Sequence, residues 1–201
     1  MDFSTVKTNL EARGYNVKTF ETGLEAADYI ASSLNNKTIS FGGSMTVKEI
    51  GLYEKLEKNN KLIWHWKPEE GQSPKEALIA AVTSDVYISS VNGMAETGEI
   101  INIDGTGNRV ASTIFGHEKV ILVVGKNKVK KDYAEAYDHA KNVSAPLNAK
   151  RLERKTPCAV KGDKCYNCNS PERICHVTAV FDRAPRNGEY EVILINEELG
   201  L

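Results

Sequence analysis

Lys119-Val120-Ile121-Leu122-Val123-Val124 is an unbroken apolar run behind a single lysine. A strand with one wet face alternates apolar and polar residues. Five consecutive aliphatic side chains instead suit a strand covered on both faces, as in a parallel sheet packed between helices. On both sides of this run the apolar spacing switches repeatedly between helical and strand periods. Phe3, Val6 and Leu10 recur at helical spacing before Gly14, residues 15–20 read as a strand, and residues 24–34 as a helix eased by Ala26, Ala27 and Ala31. Residues 38–41 form a short apolar strand, and residues 46–58 an amphipathic helix burying Val47, Ile50, Leu52 and Leu56. Residues 61–66 follow as a strand.

Ser73-Pro74-Lys75-Glu76 combines a capping serine, a proline in the first helical turn and a glutamate three residues after the cap. It opens a helix that ends near Ser84. Residues 85–90 and 99–103 read as strands, 132–142 as a helix and 190–195 as a late strand. Such alternation predicts an α/β fold with a mainly parallel sheet flanked by helices. After Pro146 the pattern gives way to a basic segment and then to every cysteine of the chain. This divides the sequence into an α/β domain over 1–150, a cysteine-rich segment over 151–181 and a C-terminal strand over 182–201 that completes the domain. No internal repeat or low-complexity tract is visible.

A chain of 201 residues has the length of one ordinary domain. With 41% apolar residues, 26% charged residues and a formal net charge of -1, it lacks both the composition of a disordered chain and the basic field of a nucleic-acid binder. The first twenty residues have no basic n-region and apolar h-region, and no apolar run approaches a membrane span, so no membrane role is expected. A cytoplasmic location follows as the default, and there thiols are kept reduced.

Ile39-Ser40-Phe41-Gly42-Gly43-Ser44-Met45-Thr46 sets two glycines between a strand and a helix. Ligands of open α/β sheets bind at the carboxyl ends of strands, where free N–H groups meet a phosphate or carboxylate. Gly42 and Gly43 would let the backbone approach the ligand, with Ser44 and Thr46 adding hydroxyls. The competing reading is a tight turn whose serine or threonine only caps the helix. The loop has no GK[ST] ending and no complete G-x-G-x-x-G. A second stretch, 91–109, is dense in glycine and short polar residues. In it Asn102, Asp104, Gly105, Gly107 and Asn108 lead to Arg109, which could clamp an anion, and Glu96 could serve as base or nucleophile. Here the competing reading is two turns with a solvated glutamate and a surface arginine.

The run Asn102-Ile-Asp104-Gly105-Thr-Gly107-Asn108-Arg109-Val-Ala, the later Gly125-Lys126-Asn127-Lys128, and Thr156-Pro157-Cys158…Cys165…Cys168-x-Ser170-Pro171-x-Arg173-Ile174-Cys175 together resemble the lactate-utilization (LUD-domain) family. More narrowly, the chain resembles its short stand-alone branch with a C-terminal cysteine set. The resemblance implies a fold related to the glucosamine-phosphate isomerase, ribose-phosphate isomerase and CoA-transferase superfamily. It places the Gly42 loop where that superfamily's first ligand loop lies. Ala95-Glu96-Thr97-Gly98 is similar to the S-E-N-G motif of CoA-transferases, although only Glu and Gly agree. The implied role is participation in oxidising lactate to pyruvate, with partner subunits that carry iron-sulfur clusters.

Cys158, Cys165, Cys168 and Cys175 are spaced C-x6-C-x2-C-x6-C, with no cysteine in the preceding 157 residues. A C-x2-C pair can place two thiolates on one metal, and the flanking pair can fold back to complete four soft ligands, which select an iron-sulfur cluster or zinc. Pro157 and Pro171 frame the loop, and the redox role implied by the resemblance favours iron-sulfur over zinc. Nearby Lys161, Lys164 and Arg173 would favour thiolates. Of the histidines, His65 reads as packed between Trp64 and Trp66, which would share one strand face. His117 and His139 read as surface residues, and His176 as a spare ligand.

The sequence thus supports a metal-bearing α/β component of an oxidoreductase system acting on a small anionic metabolite, a hydroxy acid such as lactate, held by the Gly42 loop and Arg109. It also supports a transferase or isomerase-like enzyme for a CoA ester or sugar phosphate, with Glu96 reactive and a structural zinc. A non-catalytic adaptor that docks partner subunits is a third reading, and a homo-oligomer is compatible with all three.

Overall fold

The computed structural model describes residues 1–201. In chain order the first half comprises α1 (Ser4–Ala12), β1 (Asn16–Phe20), α2 (Gly23–Ser33), β2 (Thr38–Phe41), α3 (Met45–Glu49), α4 (Leu52–Leu56), β3 (Lys61–Ile63), α5 (Pro74–Ala81) and β4 (Val86–Ser89). The second half comprises β5 (Gly93–Ala95), β6 (Ile100–Asp104), α6 (Asn108–Ile114), β7 (Lys119–Gly125), β8 (Val129–Lys130), α7 (Tyr133–His139), α8 (Ala145–Arg151), α9 (Pro157–Lys161), β9 (Val177–Phe181) and β10 (Glu189–Ile195).

Six strands in the order β1-β10-β7-β4-β2-β3 form a wholly parallel sheet. The opening run is its central strand, β7. Val120, Leu122 and Val124 face a core built with Phe3, just before α1, and Val6 and Leu10 of α1, whereas Ile121 and Val123 face a second core with Ala26, Ala27 and Ile30 of α2. Each such side chain contributes about 1.5–3 kcal/mol when buried, so both faces of β7 anchor the domain. The late strand, β10, lies between β1 and β7 inside this sheet.

A second sheet, β8-β5-β6-β9, lies apart from the first and has antiparallel β5–β6 and β6–β9 pairs. Residues 99–103 therefore form a strand as expected, but outside the parallel sheet. β5 and β8 are too short to show a period, and β9 has mostly exposed residues, so none of the three has a strand signature in sequence.

The helix expected over 46–58 is split into α3 and α4 by Gly51, at a φ of +63°, yet Val47, Ile50, Leu52 and Leu56 are all buried. The capping box at Ser73 and Glu76 forms as predicted. Pro146 does not end the helical region. A π-helical turn, Ala140–Ser144, joins α7 to α8, and the proline sits in the first turn of α8, where its missing N–H is not needed. No helix is long and apolar enough to cross a membrane.

Two histidines differ from the sequence reading. His117 is 3% exposed, stacks on Tyr87 with ring centroids 5.1 Å apart and meets the Ser84 carbonyl through Nδ1 at 2.8 Å. His139 is 9% exposed on the inner face of its helix. Each sits beside small or polar residues that look like surface in one dimension, and long-range packing covers both. Burial lowers both pKa values, that of His139 from 6.5 to about 4. A folded-state pKa below the unfolded one means that the unfolded chain binds the proton first, so stability falls as pH drops from 6.5 toward 4. Denaturant unfolding at pH 7 and pH 5 should show this loss, and His139→Leu should make it smaller; an unchanged loss in the variant would contradict the assignment.

Candidate functional site

All six strands of the large sheet are parallel, so the loops leaving β2, β4 and β7 emerge on the same side. They border a cleft of about 510 Å³ together with the β6–α6 loop, α8 and residues 171–176. Gly42 is required where β2 ends, because a Cβ there would fall 2.5 Å from Ser89 Oγ and 2.9 Å from Tyr87 Oη. The next two residues, Gly43 and Ser44, line the cleft, and their N–H groups meet no protein acceptor. The Ser44 hydroxyl accepts from Val47 N at 3.2 Å and so caps α3. Thr46 is fully buried, and its Oγ1 accepts from Lys128 Nζ at 2.9 Å.

Arg109 is the centre of a knot. Its guanidinium donates to Ser90 O, Asn102 Oδ1, Asn92 Oδ1 and Ile103 O, tying the loop after β4 to the end of β6. Asp104 accepts from Gly107 N at 3.1 Å and Val110 N at 2.9 Å, which secures the start of α6. Asp104, Gly105, Asn108 and Arg109 line the cleft, whereas Asn102 and Gly107 do not. Gly105 packs directly on the cysteine-bearing segment, since a Cβ there would lie 2.8 Å from Ile174 O. Glu96 lies elsewhere, in the β5–β6 turn, where its N–H donates to Lys130 O and its carbonyl accepts from Asn9 Nδ2. It does not border the cleft.

Five basic side chains line the cleft, Arg109, Lys128, Arg151, Arg154 and Arg173, against two carboxylates, Asp104 and Glu172. Every ion pair of the molecule lies elsewhere. Asp104 is spent on backbone N–H groups, and Glu172 accepts from Lys155 N at 2.8 Å. The cleft therefore carries unneutralised positive charge, which low-dielectric walls concentrate on any anion that enters. Arg151 is held in place, with its guanidinium 5.3 Å from the Trp66 ring and bonded to Asn148 Oδ1. The strand expected over 61–66 ends at Ile63, so Trp64 and Trp66 stack at 5.1 Å through the turn that follows β3 and not on a strand face, and His65 borders the cleft beside Trp66.

Lys128 has no counterpart in the sequence reading. It ends the turn Lys126–Lys128 directly after β7, is 3% exposed, and donates to Thr46 Oγ1 and Ser90 Oγ, each at 2.9 Å. Desolvation, reinforced by the Arg109 charge, lowers its pKa to about 7. Sequence alone shows two lysines around Asn127 and cannot tell which one turns inward.

The four cysteines are half-buried and line one small cavity, of about 20 Å³, with Thr156, Arg173 and Ile174. Asn167 N donates to Cys165 Sγ at 3.3 Å, Arg173 Nε lies 3.2 Å from Cys175 Sγ, and the Thr156 hydroxyl lies 3.3 Å from Cys158 Sγ. No three potential ligands stand in metal-holding geometry, so the donor set fits a soft metal in its chemistry while the sulfurs stand apart from one another. Ala145, Arg173 and Ile174 line both this cavity and the cleft, so the two share a wall.

An open parallel sheet with a ligand-sized cleft at its strand ends defines an α/β protein of the doubly covered type. Its family is the LUD domain, which matches residues 4–195; the chain belongs to this family, associated with lactate utilization. Its fold is similar to that in the crystal structure of a DUF162 family protein from Deinococcus radiodurans, with a TM-score of 0.54 and 15% identity over 97% of this chain and 99% of that one. No functionally curated protein matches the chain.

A buried amine whose folded pKa lies near 7, against 10.5 unfolded, loses stability as pH falls through that interval and keeps the whole penalty below it. Lys128→Met should therefore stabilise the protein at pH 6 by on the order of a few kcal/mol, read as a higher Tm, with a smaller gain at pH 9. A lower Tm for the variant at both pH values would contradict this account of Lys128.

Proposed function

We propose that the protein is a component of an oxidoreductase system of the lactate-to-pyruvate type, and that its cleft holds the small hydroxy or oxo acid as an anion. The observation that carries this reading is the set of five basic side chains without a single ion pair, beside the unmatched N–H groups of Gly43 and Ser44. Only Lys128 of the five is buried, Arg109 and Arg173 are half-buried and Arg151 and Arg154 are exposed, so the like charges converge on an open cleft where an entering anion relieves their repulsion. Arg109 would act mainly by shaping the knot that supports the site, because both of its terminal nitrogens are already committed. Arg154 keeps its donors, and Arg151, bonded to Asn148 through Nε and one terminal nitrogen, keeps the rest, for the ligand or for partner subunits.

Cys158, Cys165, Cys168 and Cys175 would hold an iron-sulfur cluster, with zinc as the alternative for the same four thiolates. A cluster would supply one-electron transfer beside the cleft, whereas zinc would only fix the shared wall. Through Arg173 and Ile174, either occupant would order one side of the ligand site. Iron-sulfur partner subunits would then supply or remove electrons.

A second reading has one observation in its favour. The cleft is much larger than a three-carbon acid and could take a phosphate or CoA ester. Glu96, outside the cleft, would have no covalent part in that reaction.

Thermal-shift titrations at low salt should show stabilisation by lactate and pyruvate, weakened by Arg151→Ala and by added salt. Stabilisation by CoA esters or sugar phosphates alone would favour the second reading, and no response to any of them would leave a docking role. Protein purified without oxygen should contain iron and labile sulfide that are lost in Cys165→Ser. One zinc per chain would replace the cluster.

A further inference from the structure

Anion binding leaves one feature of the cleft unused, the protonation state of Lys128. Its Nζ has two partners, Thr46 Oγ1 and Ser90 Oγ, both uncharged hydroxyls. No carboxylate pairs with it. An ammonium group carries three N–H donors and would leave one unmatched in a buried site, whereas a neutral amine carries two donors and one lone pair. The two hydroxyls match the neutral form.

The charged surroundings point the same way. Arg109 of α6 repels a proton on Nζ and keeps its own charge throughout the physiological range. Glu49 of α3 attracts one, yet its Oε2 already accepts from Gly200 N at 2.6 Å. His139 of α7 is disfavoured as a cation by Lys128 itself. Among these, burial dominates and leaves Lys128 near pKa 7. At pH 7 roughly half of such a group is neutral, against fewer than about one in a thousand for an ordinary lysine.

We propose that Lys128 is a carbonyl-reactive amine that forms an imine with a 2-oxo acid bound in the cleft. This deepens the reading of the cleft as a hydroxy or oxo acid site and rests on it. The Nζ lone pair attacks C2, the C=O electron pair moves to oxygen, and the resulting carbinolamine takes up a proton there and loses water. One amine, one ketone and one proton thus yield one iminium and one water, with no change in oxidation state. The Ser90 hydroxyl, which borders the cleft and is bonded to Nζ, is placed to pass protons between nitrogen and the departing oxygen, while Thr46 holds Nζ from behind. The carboxylate of the acid would balance the iminium charge beside Arg109. Buried neutral lysines serve this chemistry because desolvation supplies the free amine.

Full-length protein incubated with pyruvate and cyanoborohydride should gain the mass of one carboxyethyl group, located by peptide mapping on Lys128. Lactate, which has no carbonyl, should give none. Lys128→Arg and Lys128→Met should both abolish the adduct while the folded state, followed by circular dichroism, persists. Trapping should rise through about pH 7, as Lys128 loses its proton, rather than near the pKa of a surface lysine. Pyruvate binding is measured on the same preparation by calorimetry without reductant. Binding without an adduct, an adduct on other lysines, or a profile like that of surface lysines would overturn imine formation while leaving the cleft an anion site. No pyruvate binding would overturn both.

Discussion

β7 sits between β10 and β4 with both faces covered, and most of the molecule is arranged by that burial. Its odd and even residues feed separate cores, so neither helical layer can shift without uncovering the other's partner strand. The strand then ends at Gly125, where a Cβ would lie 2.8 Å from Leu199 N and 2.9 Å from Glu197 O. That close approach delivers the chain into the turn carrying Lys128. The strand buried on both faces thus places the least expected lysine of the cleft.

Around that charge the protein uses carbonyl groups where it could have used carboxylates. Arg109 is neutralised by no ion pair, only by four oxygen acceptors from the loop after β4 and from β6. Asp104, the carboxylate nearest in sequence, is turned to backbone N–H groups instead. Positive potential is left over, and a cleft at strand ends is where it can act on a ligand. The same loop rests on Ile174, between Arg173 and Cys175, so the cysteine-bearing segment and the cleft share a wall.

The large sheet was legible in sequence because its inner strands β2, β4, β7 and β10 are buried enough to show as apolar runs and its helices are capped by recognisable residues, as at Ser73 and Glu76. The small sheet was not, since β5 and β8 span three and two residues and β9 lies mostly exposed at an edge. Gly43, Ser44, Asp104 and Arg109 were readable as cleft residues from glycine and polar density. Their work was not: Arg109 looks like an anion clamp in sequence, whereas both its terminal nitrogens are taken up by oxygens of its own chain. Thr46 and Asn102 support the site from behind, and Glu96 is carried off by the β5–β6 turn. Lys128, Arg151 and Arg154 meet the cleft only through long-range packing, which no local pattern records.

The central claim is that the unneutralised cleft is a site for a small organic acid. A crystal structure of the protein with bound pyruvate tests it most directly. The account predicts density in the cleft with the carboxylate on the N–H groups of Gly43 and Ser44 and the carbonyl carbon facing Lys128 Nζ; an empty cleft, or a ligand seated only on the outer surface, would contradict it.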